Sequence, residues 1–189
     1  MNNIVESAIA YIKELYESTP GSHDFSHTMR VYKTATNIAK DYPDANMELI
    51  SLSALLHDVD DYKFFNTKDN ENAKKFLKEQ NVSEDKINKI CGIINEISFS
   101  KNRGHKPSSI EAMIVQDADR LDAIGAIGIA RTFSFGGEKN RPIETSIQHF
   151  YDKLLLLKDE MNTESAKKIA EQRHQYLLDF LKEYDKETK

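Results

Sequence analysis

One cysteine, Cys91, is all that this chain of 189 residues contains, so no intrachain disulfide can form. Cys91 sits in the apolar-looking run Ile90-Cys91-Gly92-Ile93-Ile94, where nothing nearby lowers a thiol pKa. A buried structural thiol is expected there, not a nucleophile. Long hydrophobic runs are missing too. The longest unbroken apolar stretch covers residues 123–130, far short of the roughly 20 residues that a membrane span requires. The first residues, Met1-Asn2-Asn3-Ile4-Val5-Glu6, lack a charged leader followed by an apolar core. No signal peptide is expected, and a reducing cytoplasm is the default location. Positive charge is in deficit, with 26 Lys and Arg against 31 Asp and Glu, for a formal net charge of -5. That argues against binding a nucleic-acid polymer, which needs clustered Lys and Arg. It leaves nucleotides open, because a small local group of cations can hold a phosphate chain within an acidic protein.

What is present is an ordinary globular composition, 39% hydrophobic and 30% charged. The length favours one domain over two. Helical periodicity runs nearly throughout. Ile4, Ala8, Tyr11, Ile12 and Leu15 form one stripe. After the break at Thr19-Pro20-Gly21-Ser22 a helix is expected over about 23–40, closed by Tyr42-Pro43-Asp44. A third helix starts near Met47. A short helix fits Ala73, Phe76 and Leu77, and Ser83 is placed to cap a helix running to about Ile97. Residues 98–109 read as irregular, and a helix begins near Ile110. Residues 134–142, with Gly136-Gly137, form a second irregular stretch. Two helices follow, at about 144–161 and 163–184, the second with Thr163 as its cap. No hairpin or strand–helix alternation stands out, so the fold class is all-α.

Chemistry concentrates where His57 and Asp58 end the apolar run Leu49-Ile50-Ser51-Leu52-Ser53-Ala54-Leu55-Leu56. An imidazole nitrogen beside a carboxylate oxygen is a start on a divalent-metal site. His27 lies upstream, and Asp119 stands in the run Gln116-Asp117-Ala118-Asp119-Arg120-Leu121-Asp122. Neighbouring residues on a helix point about 100° apart, yet a long imidazole and a short carboxylate can still reach one ion. Two nitrogens with two or more oxygens suit Mn²⁺, Fe²⁺, Ni²⁺, Co²⁺ or Zn²⁺ better than Ca²⁺, and Mg²⁺ is kept among the candidate ions. A lone His-Asp pair would be weak, since many helices carry one; the order His, His-Asp, Asp is what distinguishes this chain.

That order, with its local signatures, resembles the HD-domain superfamily of metal-dependent phosphohydrolases. Ser22-His23-Asp24-Phe25-Ser26-His27-Thr28-Met29-Arg30-Val31 is similar to the first-histidine segment of a bacterial HD-hydrolase subgroup. Leu55-Leu56-His57-Asp58-Val59-Asp60-Asp61-Tyr62-Lys63 and Asp117-Ala118-Asp119-Arg120-Leu121-Asp122-Ala123-Ile124-Gly125-Ala126 resemble its other two motifs. The likeness implies a single HD-type helical bundle over 1–189, with a motif core at 22–135 and packing helices at 144–185. It implies hydrolysis of phosphate esters or anhydrides, often in nucleotides. Matching Ala118-Asp119-Arg120-Leu121 to the family's last motif selects Asp119 over Asp117 or Asp122 as the fourth ligand. Binuclear HD proteins usually carry two further histidines between the pair and the last Asp. Only His105 lies there, which favours one divalent ion, with manganese as the working choice.

Around that centre, Asp61 follows Asp58 by three positions and would share its face if the helix continued, as ligand orienter or general acid–base. Asp60 is expected to face solvent. His23 and Arg30 flank His27 at helical spacing and Arg120 adjoins Asp119, giving a candidate acid and two candidate phosphate holders. Lys101, Arg103, His105 and Lys106 concentrate cations suited to a polyphosphate. Arg131, Phe133, Phe135, Lys139 and Arg141 form a second candidate wall, whose aromatics are more often core residues. His149 and His174 are expected to be structural or exposed. The favoured reaction is hydrolysis of a (deoxy)nucleoside triphosphate to monophosphate and pyrophosphate. The alternatives are a nucleotide monophosphatase or phosphodiesterase of the same fold, or a non-catalytic metal or nucleotide sensor. The expected partner is a small nucleotide or phosphate ester, and the oligomeric state is open, a homodimer included.

Overall fold

The computed structural model describes residues 3–18, 25–62, 64–97 and 106–188. Among these there are nine α-helices and no strand, so the protein is all-α. The chain divides into two compact units, Met1–Gln116 and Asp117–Lys189, and the division falls inside one continuous helix.

The first unit is built around α3 (Met47–Leu56). Every residue of α3 from Ile50 to Leu56 is buried, which suits a helix enclosed on all sides. Around it pack α1 (Asn3–Glu17), α2 (Phe25–Ile38) and α5 (Glu84–Ile97), with α4 (Glu71–Glu79) lying on α5. Ala8, Ile12 and Tyr16 of α1 meet Leu52, Leu55 and Leu56 of α3, and Phe76, Leu77, Ile87 and Ile90 complete the core. Tyr11 stacks on Phe76 with ring centroids 4.8 Å apart. Each buried Leu or Ile here contributes about 1.5–3 kcal/mol of transfer free energy; truncating Leu55 to Ala would cost about 2–5 kcal/mol. Asn46 starts α3 by accepting the Glu48 and Leu49 backbone N–H groups, each at 3.1 Å. Cys91 is buried, as expected of a structural thiol, and burial raises its pKa.

α6 (Ile110–Asp122) begins in the first unit and ends in the second. The second unit continues with α7 (Gly125–Glu138), α8 (Ile143–Asp152), a 3-10 segment at Leu154–Glu160 and α9 (Glu164–Thr188). Phe133, Phe150 and Phe180 form its aromatic centre, with centroids 5.5–6.0 Å apart. Phe133 is therefore a core ring, whereas Phe135 is exposed, with Lys139 and Arg141 over its faces.

Three boundaries differ from the sequence expectation. Residues 134–138 are helical, because α7 runs through Gly136-Gly137 to Glu138. Gly136 is needed there: a Cβ would stand 2.4 Å from Ser146 Oγ of α8. The helix starting at Ile110 is interrupted after Asp122, where Gly125 adopts φ +77°, a conformation that glycine takes without Cβ strain. The stretch expected as one helix over 144–161 breaks at Lys153, with φ −142° and ψ −56°, and tightens into the 3-10 segment.

Candidate metal centre

His27 lies in the first turn of α2 and is only 2% exposed. α3 stops at Leu56, so His57 and Asp58 fall in the turn that follows it. His57 keeps helical dihedrals, φ −63° and ψ −29°, as the residue closing the helix. Its Nδ1 is 2.9 Å from the carbonyl oxygen of Ala54. A carbonyl only accepts, so Nδ1 carries the ring proton and Nε2 presents a lone pair. Nε2 of His57 is 3.3 Å from Oδ2 of Asp58, and Nε2 of His27 is 3.5 Å from the same oxygen. The two imidazoles meet edge to face, centroids 5.5 Å apart. One ligand atom from each of His27, His57 and Asp119 lies within 4.8 Å of the other two.

This donor set fits a divalent cation. A lone pair and a carboxylate oxygen facing each other at 3.3 Å repel unless a positive charge lies between them. Donors around one ion at about 2.0–2.2 Å stand roughly 3–4 Å from each other, close to the separations seen here. Imidazole nitrogens with carboxylate oxygens match borderline transition metals.

α6 shows why Asp119 differs from its acidic neighbours. Asp117 is fully buried, and its carboxylate accepts four hydrogen bonds. Asn162 donates its N–H and Nδ2 to Oδ1, both at 2.8 Å. Thr163 donates its N–H and hydroxyl to Oδ2, at 2.8 and 2.7 Å. Burial still raises the Asp117 pKa, with those bonds pulling it back. Asp122 is buried and bridged by Arg131 Nη1 at 2.5 Å. Arg120 is buried, with Nη1 donating to the Glu160 carbonyl and Nη2 3.4 Å from the Glu160 carboxylate. Arg173 donates to the Leu121 carbonyl at 2.6 Å while its aliphatic stem packs on Gly125. Most of the acidic motif thus binds other helices of its own unit, and Asp119 is the member grouped with the histidines.

The remaining expected site residues are distributed as follows. Arg30 is half-buried on α2, and Asp61 is half-buried just past the His-Asp turn. The helix does not continue to Asp61, so the premise of a shared helix face fails; instead Asp61 N–H donates to the Asp58 carbonyl at 3.1 Å in a tight turn. Lys106 is exposed ahead of α6. His23, Lys101, Arg103 and His105 lie outside the described residues.

Two residues near the centre escaped the sequence reading. Asp60 is half-buried, not solvent-facing: its carboxylate accepts the backbone N–H groups of Asn72 and Ala73 at 2.9 and 3.0 Å, at the start of α4. Asn72 Nδ2 donates back to the Val59 carbonyl at 2.7 Å. This reciprocal clasp fixes the turn that carries Asp58, and its signal, an Asp eleven residues ahead of a helix start, is too common to read. Tyr16, which the helical stripe of the sequence does not include, is buried with its hydroxyl 3.5 Å from Thr28 Oγ1, the residue that follows His27. Burial, then the nearby Asp58 charge, holds its phenol far above the ordinary range.

An all-helical protein that groups ligand atoms of His27, His57 and Asp119, with Asp58 Oδ2 beside both imidazoles, has the make-up of a metal-dependent hydrolase. The HD domain family matches residues 24–124. The chain belongs to this family, the HD-domain superfamily of metal-dependent phosphohydrolases. By sequence it is 35% identical to YpgQ of Bacillus subtilis over 191 residues, 96% of this chain and 92% of YpgQ. The crystal structure of YpgQ in complex with ADP superposes with a TM-score of 0.85 at 31% identity, covering 98% of this chain and 95% of that one. A crystal structure of an HD-superfamily hydrolase from Bacillus thuringiensis superposes with a TM-score of 0.80 at 40% identity, covering 97% and 95%. No helix among the described residues is long and apolar enough to cross a membrane.

Proposed function

We propose that residues 1–189 act as one HD-type domain that hydrolyses nucleotides at a single divalent cation, held by His27, His57, Asp58 and Asp119. The observation that carries this reading is the gathering of His27, His57 and Asp119 ligand atoms within 4.8 Å of one another, with Asp58 Oδ2 against both imidazoles. A divalent ion, Mn²⁺ in the working assignment, supplies Lewis acidity when bound, making water a usable nucleophile at neutral pH and polarising a phosphoryl oxygen. The protein's own groups do the rest. His57 keeps Nε2 deprotonated by committing its proton to Ala54. Asp61 moves the proton of the attacking water, and His23 donates one to the leaving group. Arg30, with Lys101, Arg103, His105 and Lys106, neutralises charge that builds up on the phosphate chain. Arg120 and Arg131 were candidates for the same work; their engagement with Glu160 and Asp122 favours Arg30 ahead of them.

The substrate class draws on the ADP that YpgQ holds in its crystal structure. Among nucleotide reactions the favoured one converts a (deoxy)nucleoside triphosphate to its monophosphate and pyrophosphate. A nucleotide panel incubated with Mn²⁺, with phosphate and pyrophosphate followed separately, tests this. Pyrophosphate released from triphosphates and abolished by a chelator is the expected result. Orthophosphate from monophosphates alone moves the assignment to a nucleotidase; release of neither from any nucleotide removes the reading.

A further inference from the structure

We infer that Asp117 is a positioning residue: its buried link to Asn162 and Thr163 sets the rotation of α6 that presents Asp119 to the two histidines. This rests on the reading of Asp119 as a metal ligand.

Residues two apart on a helix point about 200° apart, and residues three apart return to within about 60°. Asp117 and Arg120 therefore share one side of α6 and Asp119 takes the opposite one. The shared side is held at two levels by one short segment: Asp117 by Asn162 and Thr163, Arg120 by Glu160. The lock is directional as well as strong. The Asp117 carboxylate is acceptor-only, and the four groups that meet it from residues 162 and 163 are all donors. Thr163 also starts α9, its hydroxyl accepting the Ala166 N–H at 3.3 Å while donating to Asp117. The carboxylate thereby sits at the N-terminal end of a 25-residue helix, where the helix dipole favours negative charge. The consequence of losing this register is severe. Turning α6 by one residue would put the Arg120 guanidinium where a carboxylate has to meet the cation. Outer partners that fix a ligand's orientation typically hold 10–100-fold of metal affinity, and here the partner acts through the rotation of a helix.

The test is Mn²⁺ titration calorimetry on the full chain, alongside urea unfolding without metal. Asp117→Asn keeps the shape and the Thr163 cap on α9, but turns an amide donor toward the Thr163 N–H. Thr163→Val removes the hydroxyl, and Thr163→Ser restores it. Expected are Mn²⁺ dissociation constants raised about tenfold or more in Asp117→Asn and Thr163→Val, and unchanged within about twofold in Thr163→Ser. Gly136→Ala, a clash between α7 and α8, is the control for lost stability alone; it should unfold earlier yet bind Mn²⁺ as the parent does. If Asp117→Asn fails to fold, the Thr163 pair decides. Parent-like Mn²⁺ affinity in Thr163→Val, with its stability lowered, overturns the inference and leaves the metal centre standing. A parent chain that binds no Mn²⁺ removes the metal centre and this inference together.

Discussion

His57 Nδ1 donates to the Ala54 carbonyl, one turn back along α3, at 2.9 Å. The bond fixes both ring orientation and tautomer, so the Nε2 lone pair is committed to the side where Asp58 and His27 lie. His57→Ala removes a donor atom, a loss beyond that of an outer partner, so Mn²⁺ affinity should fall by more than about a hundredfold. Phosphohydrolase activity should disappear with it. Metal content of the purified variant by mass spectrometry checks this; a variant still loaded with metal would exclude His57 as a ligand.

Asp61 offers a different split. As a proton-transfer group it contributes about 10²–10⁴-fold to turnover without being a ligand. Asp61→Asn should lower kcat by that order while the Mn²⁺ dissociation constant stays near the parent's. A matching loss of metal affinity would instead make Asp61 part of the coordination sphere.

The clasp between Asp60 and the start of α4 predicts a stability effect. Loss of a side-chain acceptor at a helix N-terminus costs about 0.5–2 kcal/mol, and Asp60 serves two N–H groups. Asp60→Ala should lower the urea midpoint accordingly with an unchanged m-value. A midpoint equal to the parent's would show that water replaces the carboxylate without loss.

The sequence made the helices legible because their apolar stripes are long, and it made the His-Asp centre legible because two ionisable groups ended an apolar run. It did not show that α3 stops at Leu56, since the turn after it keeps near-helical geometry at His57. Nor could it rank Asp117, Asp119 and Asp122 by themselves. Three carboxylates on one helix look alike until their partners, more than forty residues away for Asp117 and nine for Asp122, are in place. The interruption between α6 and α7 was similarly hidden, because an apolar run with two glycines reads as continuous helix until Gly125 turns to positive φ.

That interruption is itself testable. A Cβ on Gly128 would stand 2.2 Å from the Ala123 carbonyl oxygen, and on Gly125 it would meet the Arg173 stem at 3.0 Å with φ at +77°. Backbone cannot yield to the first clash as a flexible side chain can to the second. Gly128→Ala should therefore be the more damaging substitution, costing several kcal/mol, against about 1–3 kcal/mol for the left-handed strain at Gly125. Thermal unfolding of the two variants gives the order, and equal midpoints would contradict it.

His174 and His149 give the pH dependence a sign. Burial lowers both pKa values below the ordinary 6.5, with Lys158 adding to the effect at His174 and Lys153 at His149. His174 Nδ1 is buried and has no hydrogen-bond partner among the described residues, so a proton placed there would have no acceptor among them. A histidine with a depressed folded pKa binds fewer protons folded than unfolded once the pH drops toward 6.5. Its contribution to stability is thus complete above 6.5 and is lost as the pH falls through that value toward the folded pKa. The urea midpoint should decline between about pH 7 and pH 5.5, and the double variant His149→Gln/His174→Gln should decline less over the same interval. Both groups are partly exposed and solvent screening keeps the effect small, so the slope difference between the two proteins is the quantity to read. Parallel slopes would mean that neither imidazole is kept neutral by the fold.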